Sequence, residues 1–163
     1  MFNDVKSVAR MRAQSSAMRA IAGWPEEKLL GVRAGFSGWS PYEHVDHTAR
    51  VVSAILTGLL QPDLPQIAPV SLLGHAVLIT GYIPRGKARA PSRVKPVRAS
   101  VAELLATLDA MDELIGRVAD PGWISPKGSV IPHPYFGGMT STQSLRFVGI
   151  HTHHHLKIVR EMA

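Results

Sequence analysis

The sequence predicts an all-α fold, a four-helix bundle with two long connections. Four segments repeat apolar residues at the three- and four-residue spacing of one helix face. Two of these segments begin with a capping box, and no segment shows a convincing strand ladder. A chain of 163 residues, 45% of them hydrophobic, is large enough to bury a core. We therefore expect a single helical domain over residues 1–163.

The first two predicted helices have clear boundaries. The first runs from about residue 3 to 22 and carries an apolar stripe of Val5, Val8, Met11, Met18 and Ile21. Gly23 and Pro25 disfavour its continuation. The second has the clearest start signal, because Ser40 suits the N-cap, Pro41 the first helical position, and Glu43 completes a capping box. Its stripe contains His44, His47, Val51, Ile55 and Leu59, and Pro62 follows its end.

The third and fourth predicted helices lie in the second half of the chain. The third opens with a capping box of Ser100 and Glu103 and stops at the Asp-Pro-Gly sequence of 120–122. Its stripe consists of Leu104, Leu105, Leu108, Met111, Ile115 and Val118. The fourth begins near Thr140 or Ser141 and continues to the C-terminus, with Leu145, Val148, Ile158, Val159 and Met162 on one side.

The long connections follow the second and third helices. The first contains Pro65, Pro69, Pro84, Pro91 and Pro96. Its apolar part, 71–83, is consistent with a short helix or a strand-like segment, and periodicity does not decide between them. The second, 124–139, is rich in Gly and Pro and is expected to form a loop over one end of the bundle.

The composition excludes several classes of protein. The chain has no cysteine, so disulfides, thiolate ligands and a protein-borne thiol nucleophile are ruled out. No apolar run approaches the roughly 18 residues that span a bilayer. Residues 2–21 are amphipathic and lack the apolar region of a secretory signal. We expect a cytoplasmic protein with no membrane partner.

Positive charge is concentrated in one segment of this basic chain, whose formal net charge is +6. Residues 64–102 contain no acidic residue and include Arg85, Lys87, Arg89, Arg93, Lys95 and Arg98. We interpret this basic segment, 85–98, as a solvated loop; the alternatives are an anion-binding rim and a phosphate-backbone contact. Only Tyr82 flanks it, so the aromatic platforms typical of single-stranded nucleic-acid binding are missing. Nucleic acid is therefore the less favoured partner.

Four of the eight histidines fall in the last predicted helix. His151 and His155 are about 40° apart around the helix axis and one turn apart along it, so both imidazoles can reach one metal ion. Both also fall on the apolar stripe, where an unpartnered imidazole is costly to bury. His154 lies about 60° from His151 and stays a candidate. His153 points away and is expected to meet solvent.

A further imidazole comes from the second helix. His44 and His47 both fall on its stripe, and spacing does not separate them. A lone buried histidine is more often hydrogen-bonded than metal-bound, and a terminal run of histidines can form an exposed polar face. Three imidazoles directed into one apolar interior instead favour a divalent ion, which would accept a lone pair from each ring.

These residues resemble the motifs of the DinB/YfiT-like superfamily. Trp39-Ser40-Pro41, with His47 eight positions after the Trp, is followed much later by His151 and the adjacent His154 and His155. The sequences Gly-Tyr-Ile-Pro-Arg-Gly at 81–86, Ala-Pro at 90–91 and His-Pro-Tyr-Phe-Gly at 133–137, together with Phe147 and residues 151–156, resemble one uncharacterised branch. The resemblance extends from about residue 39 to the C-terminus, and the first helix fits by position only.

The resemblance implies a four-helix bundle of DinB/YfiT-like type whose metal ligands are His47, His151 and His155, in preference to His44 and His154. Members include thiol-dependent transferases and isomerases and proteins called metal-dependent hydrolases, so the fold does not settle the reaction. We expect a metal-dependent enzyme, either a hydrolase using metal-activated water or a transferase using a low-molecular-weight thiol. The alternative is a non-catalytic metal-binding or interaction module whose basic segment recruits an anionic partner.

Ligation by histidine alone suits Zn, Ni or Fe. Because the chain has no cysteine, any thiol must arrive as a small cofactor. His44 and His154 are candidates to support the ligands or move a proton, and Arg85 or Lys87 and His133 are candidates for a substrate rim. We expect a small-molecule substrate, and a homodimer would agree with the resembling family.

Overall fold

The computed structural model of the chain describes residues 2–86, 89–128 and 130–163, with side chains described from Val5 onward. Its α-helices are α1 (Phe2–Ala22), α2 (Glu26–Leu30), α3 (Pro41–Leu59), α4 (Leu72–Thr80), α5 (Val101–Ala119) and α6 (Ser141–Met162). A short 3-10 helix, Ser92–Val94, precedes α5. Strands β1 (Ile131–His133) and β2 (Gly137–Met139) form an antiparallel hairpin in which Pro132 pairs with Gly138.

The four long helices form the bundle. Helix α3 packs against α5 and α6, and α1 packs against the same two helices, so α1 and α3 lie diagonally across the bundle. The core between them contains Met11, Met18, Val45, Leu56, Leu104, Leu108, Ile115, Leu145 and Val148. The prediction of an all-α fold is thereby confirmed, and the long helices coincide with the four predicted segments.

Helices α3, α5 and α6 begin with capping boxes, which are formed by Ser40 and Glu43, Ser100 and Glu103, and Thr140 and Gln143. In each box the N-cap hydroxyl accepts a hydrogen bond from the backbone N–H three residues later. The side chain of that later residue accepts one from the N-cap N–H. Two N–H groups that the helix itself cannot satisfy thus gain partners. The first two boxes were predicted, and the third fixes the start of α6 at Ser141.

The connections contain more regular structure than predicted. The undecided segment 71–83 contains α4, whose first turn is capped when Ser71 Oγ accepts from the N–H of Gly74. Gly81 ends α4 with a φ of 67°, a left-handed conformation that glycine adopts without strain. The prediction that 124–139 is only a loop was wrong, because it contains the β1–β2 hairpin. Helix α2 was not predicted; its five residues are too few for a periodic pattern.

Two stripe residues are exposed, contrary to prediction. Leu105 is 37% exposed because it is displaced by about 100° from Leu104, which with Leu108 faces the core. Val5 is 66% exposed, since burial along α1 decreases toward its N-terminal end. Within the described ranges, no helix combines the length and apolar character needed to cross a bilayer.

Backbone hydrogen bonds fix the hairpin to the connection before α4. The N–H of Gly138 donates to the carbonyl of Ala68 at 2.8 Å, and the N–H of Ser71 donates to the carbonyl of Phe136 at 2.7 Å. The turn and β2 of the hairpin are therefore tied to this connection, although the strands are only three residues long. It carries His133, whose position depends on these bonds.

We predict that Gly74→Ala destabilises the protein. An added Cβ would overlap Cγ2 of Val70 and lie 2.8 Å from Cβ of Phe136. Overpacking of this kind costs about 1–3 kcal/mol, which exceeds the gain of up to about 1 kcal/mol from replacing a helical glycine. Urea unfolding measures the change. Gly116→Ala on α5 is the matched control, because its Cβ would meet no atom within 4 Å and should stabilise the protein slightly. Equal effects of the two changes would contradict the packing argument.

Candidate metal centre

Three imidazoles from two helices lie together inside the bundle. His47 belongs to α3, and His151 and His155 lie one turn apart on α6. Each ring offers one nitrogen, and these nitrogens lie within 4.8 Å of one another. The ring centroids are 5.1 Å apart for His47 and His151, 4.9 Å for His47 and His155, and 4.6 Å for His151 and His155. The three histidines are thus positioned to bind one metal ion.

The orientation of His47 is set by the connection before α5. Its Nδ1 lies 2.6 Å from the carbonyl oxygen of Val94, at the end of the 3-10 helix. Because a carbonyl only accepts hydrogen bonds, Nδ1 carries the proton and Nε2 carries the lone pair. A backbone carbonyl that orients a histidine in this way is common among metal ligands.

The carboxylate of Asp46 holds that connection in place. Its Oδ2 accepts from the backbone N–H of Val97 at 2.8 Å and from Nε of Arg50 at 2.7 Å. Asp46 is only 1% exposed, so both bonds are needed to compensate its burial. The residue next to His47 in the sequence therefore anchors the segment whose carbonyl orients His47.

The ring of His155 meets that of His44. Their Nδ1 atoms lie 2.8 Å apart, and Nε2 of His44 lies 2.8 Å from Oγ of Ser37. The indole of Trp39 covers the same group, with its ring centroid 5.5 Å from that of His44 and 6.1 Å from that of His155. Since Nδ1 of His155 is engaged, its Nε2 is the nitrogen left for a metal ion.

The surroundings of His151 show whether the three-histidine group fits a metal ion. Its Nδ1 is buried and has no hydrogen-bond partner within the described part of the chain, although the ring keeps some accessible surface. A buried imidazole nitrogen without a partner is unfavourable. A divalent cation between the three rings would remove part of this cost, so the residues present fit such an ion.

Burial keeps these rings neutral, which is the protonation state that binds metals. Desolvation lowers the pKa of His47 and moves those of His151 and His155 well below the usual value of 6.5. Desolvation, followed by the charge of His47, lowers the pKa of His44 to about 4. Protons therefore compete weakly with a metal ion near pH 7.

A comparison of the sequence with models of protein families identifies the superfamily of the chain. The family model of the DinB superfamily matches residues 11–159. The chain belongs to the DinB superfamily. This match confirms the resemblance to the superfamily and extends into α1, of which it covers the part from Met11 onward. Neither the comparison with curated proteins nor that with solved structures found a match.

His153 and His154 lie between His151 and His155 on α6 of this DinB protein. His154 is half-buried, and its ring centroid lies 5.1 Å from that of His155 in an edge contact. His153 is exposed, as predicted. Burial, followed by the charge of Arg85, lowers the pKa of His154. His154 therefore lies beside the three-histidine group and close enough to Arg85 for the positive charge to disfavour its protonation.

Arg85 is fixed near this group by the C-terminal end of α6. Its Nη2 lies 2.5 Å from Oε2 of Glu161, while Nη1 of Arg33 donates to the backbone carbonyl of Glu161 at 3.1 Å. Arg85 also contributes, after burial and the neighbouring histidines, to the lowered pKa of His44. The connection between α2 and α3 and the connection between α4 and α5 thus both contact Glu161. The other rim candidate of this segment, Lys87, lies outside the described residues.

His133 stands on the hairpin, joined to the three-histidine group through aromatic rings. It stacks on Phe136 with ring centroids 4.1 Å apart, and its Nδ1 accepts from the N–H of Tyr135 at 3.3 Å. Its ring also meets Phe147 at 4.7 Å, and Phe147 lies 5.6 Å from His151. Burial lowers the pKa of His133 to about 4. The ring is therefore neutral, with its proton on Nε2.

The rest of the basic segment is divided between structural contacts and solvent. Arg98 pairs with Glu43 at 3.2 Å, and the backbone of Arg89 exchanges hydrogen bonds with the hydroxyl of Tyr135. Arg93 and Lys95 are exposed. The expectation of a solvated loop is thus confirmed for the side chains of Arg93 and Lys95. The backbone at Arg89, in contrast, is hydrogen-bonded to the hairpin.

Sequence reasoning missed Ser37, Asp46 and Val94, which hold or orient the imidazoles. For Asp46 a usable signal was present in the sequence, since an aspartate inside the predicted helix directly precedes a histidine of its apolar stripe. Val94 acts through its backbone carbonyl, which any residue supplies, and Ser37 lies in a segment without periodicity. Nothing in their residue types distinguishes these two positions.

We predict that the metal-free protein loses stability as the pH falls from 7 to 5. The pKa values of His44 and His133 are about 4 when folded and rise to about 6.5 on unfolding. The unfolded chain thus binds more protons in this window, and the free energy of unfolding falls by up to about 1.4 kcal/mol per pH unit for each such histidine. Urea unfolding at several pH values measures the slope.

A matched pair of variants assigns this slope. His133→Phe should reduce the slope of the free energy of unfolding against pH by the share of one titrating histidine. His153→Gln, at an exposed position, should leave the slope unchanged. A free energy of unfolding that does not vary between pH 7 and 5 would contradict the prediction.

Proposed function

We propose that the protein is a metal-dependent enzyme whose metal ligands are His47, His151 and His155. The observation that carries this proposal is the convergence of three neutral imidazoles without a carboxylate or thiolate ligand among the three. These three neutral histidines would hold a divalent ion without reducing its charge, and such an ion would supply the acidification of a water or a thiol. Such an arrangement supports hydrolysis or transfer to a low-molecular-weight thiol.

The surroundings of the three histidines support a small anionic substrate. Arg85 supplies a cation beside the group, and Glu161 now neutralises it. A substrate carboxylate would exchange with Glu161 for the same guanidinium, which binds carboxylates well. His133, with its proton on Nε2, is a neutral donor that can hold a substrate oxygen. Since the chain has no cysteine, a thiol substrate would be a separate small molecule.

The second candidate is a metal-binding module without catalysis. It is favoured by the exposed Arg93 and Lys95, which suit an anionic macromolecule better than a small substrate. In this case the ion would join α3 to α6, and the basic segment would contact the partner. Turnover of ester, amide or thiol substrates by the metal-loaded protein would reject this candidate.

We predict about one divalent ion per chain in untagged protein purified without nickel resin. Mass spectrometry of the metal content identifies the ion as zinc, nickel or iron. His47→Ala and His151→Ala should each lose it, because two remaining imidazoles bind far more weakly than three. His153→Ala, on the same helix but exposed, is the control and should retain the ion. A metal-free wild type that also fails to bind added zinc, nickel or iron would refute the proposal.

We predict that Arg85 selects anionic ligands. The cobalt-loaded protein is titrated with mercaptoacetate, which carries a carboxylate, and with neutral mercaptoethanol, and the thiolate-to-cobalt absorption reports binding. Arg85→Gln should weaken the binding of mercaptoacetate about fivefold, as expected for one lost ion pair of about 1 kcal/mol. The affinity for mercaptoethanol should stay unchanged. Glu161→Gln should strengthen mercaptoacetate binding, because it removes the competing carboxylate. Arg93→Gln is the control, and an equal response of both thiols to Arg85→Gln would exclude the selection.

A further inference from the structure

His44 and Ser37 continue a chain of hydrogen-bonding groups outward from His155. Nδ1 of His155 lies 2.8 Å from Nδ1 of His44, and Nε2 of His44 lies 2.8 Å from Oγ of Ser37. The backbone N–H of Trp39 donates to the same Oγ at 3.0 Å. His44 is 3% exposed and Ser37 is half-buried, so the chain leads from the bundle interior toward the surface.

The chain has two self-consistent arrangements of protons. Two ring nitrogens at 2.8 Å require that one donates and the other accepts. If His155 donates from Nδ1, His44 carries its own proton on Nε2 and donates it to Ser37. If His44 donates from Nδ1, its Nε2 accepts from the hydroxyl of Ser37, and His155 carries its proton on Nε2. Only the first arrangement leaves Nε2 of His155 with a lone pair for a metal ion.

We propose that His44 and Ser37 are positioning residues that hold His155 as the tautomer with its proton on Nδ1, and so prepare its Nε2 for the metal. This inference rests on the proposed three-histidine site. Ser37 can serve as the acceptor that this direction requires, because its oxygen has two lone pairs, one for the N–H of Trp39 and one for an N–H at Nε2 of His44. The hydroxyl proton of Ser37 is then free to point to solvent. A metal ion at Nε2 of His155 would select this arrangement over the other one.

Two replacements of His44 separate hydrogen bonding from packing. His44→Phe keeps a ring of similar shape beside Trp39 but offers His155 no acceptor. His44→Gln offers an amide oxygen as acceptor in place of Nδ1. Removing the group that orients a metal-bound histidine weakens affinity by about 10–100-fold, so we expect this loss in His44→Phe and substantial recovery in His44→Gln. His153→Phe, at an exposed position of α6, is the control and should bind zinc like the wild type.

Ser37 provides a second test that does not disturb the core. Ser37→Ala removes the acceptor for Nε2 of His44, and we expect zinc affinity to fall about fivefold, the effect of one hydrogen bond. Ser37→Thr keeps the hydroxyl and should retain affinity. This pair keeps the proposal testable even if His44→Phe fails to fold, because Ser37 is half-buried in the segment between α2 and α3.

The experiment combines zinc affinity, measured by competition with a chromophoric chelator, with nitrogen NMR of the histidine rings in the zinc-loaded protein. The expected spectrum shows His155 protonated at Nδ1 and His44 protonated at Nε2. Unchanged affinity in both His44→Phe and Ser37→Ala, or a His44 ring protonated at Nδ1, would overturn the inference while leaving the metal site intact. Failure of the wild type to bind zinc, nickel or iron would instead overturn the proposed function, and this inference with it.

Discussion

Burial of imidazole rings between α3 and α6 is the constraint on which the rest of the site depends. A neutral imidazole has one donor and one acceptor nitrogen, and burying either of them without a partner costs free energy. Val94 supplies a partner for His47, and His44 supplies one for His155. The nitrogens that remain point toward one another, so the hydrogen bonds that relieve burial also assemble a set of potential metal ligands.

This constraint explains why the connections are as well fixed as the helices. The buried carboxylate of Asp46 binds the backbone at Val97 and so places the carbonyl that His47 requires. The hairpin is fixed by backbone bonds to the segment before α4 and carries His133 to the aromatic rings beside α6. Parts of the chain without helical periodicity are therefore structural components of the site.

Membership of the DinB superfamily and the three-histidine geometry agree with metal binding and do not name a reaction. The chemistry of the surroundings is more informative about the ligand. The proposed anionic small molecule rests on the guanidinium of Arg85, which is paired with Glu161, and on the neutral donor His133 of the hairpin. Because the chain has no cysteine, any thiol in the proposed reaction would be a separate molecule.

The sequence by itself determined the four long helices, two of the three capping boxes and the shared face of His151 and His155, because periodicity and capping are local properties. It did not decide between His44 and His47 without the family resemblance, since both lie on one stripe. Only the tertiary structure gave them different partners, Val94 for His47 and His155 for His44, which are 47 and 111 positions away along the chain. Contacts over such separations depend on how helices and connections pack together, and no local pattern encodes them.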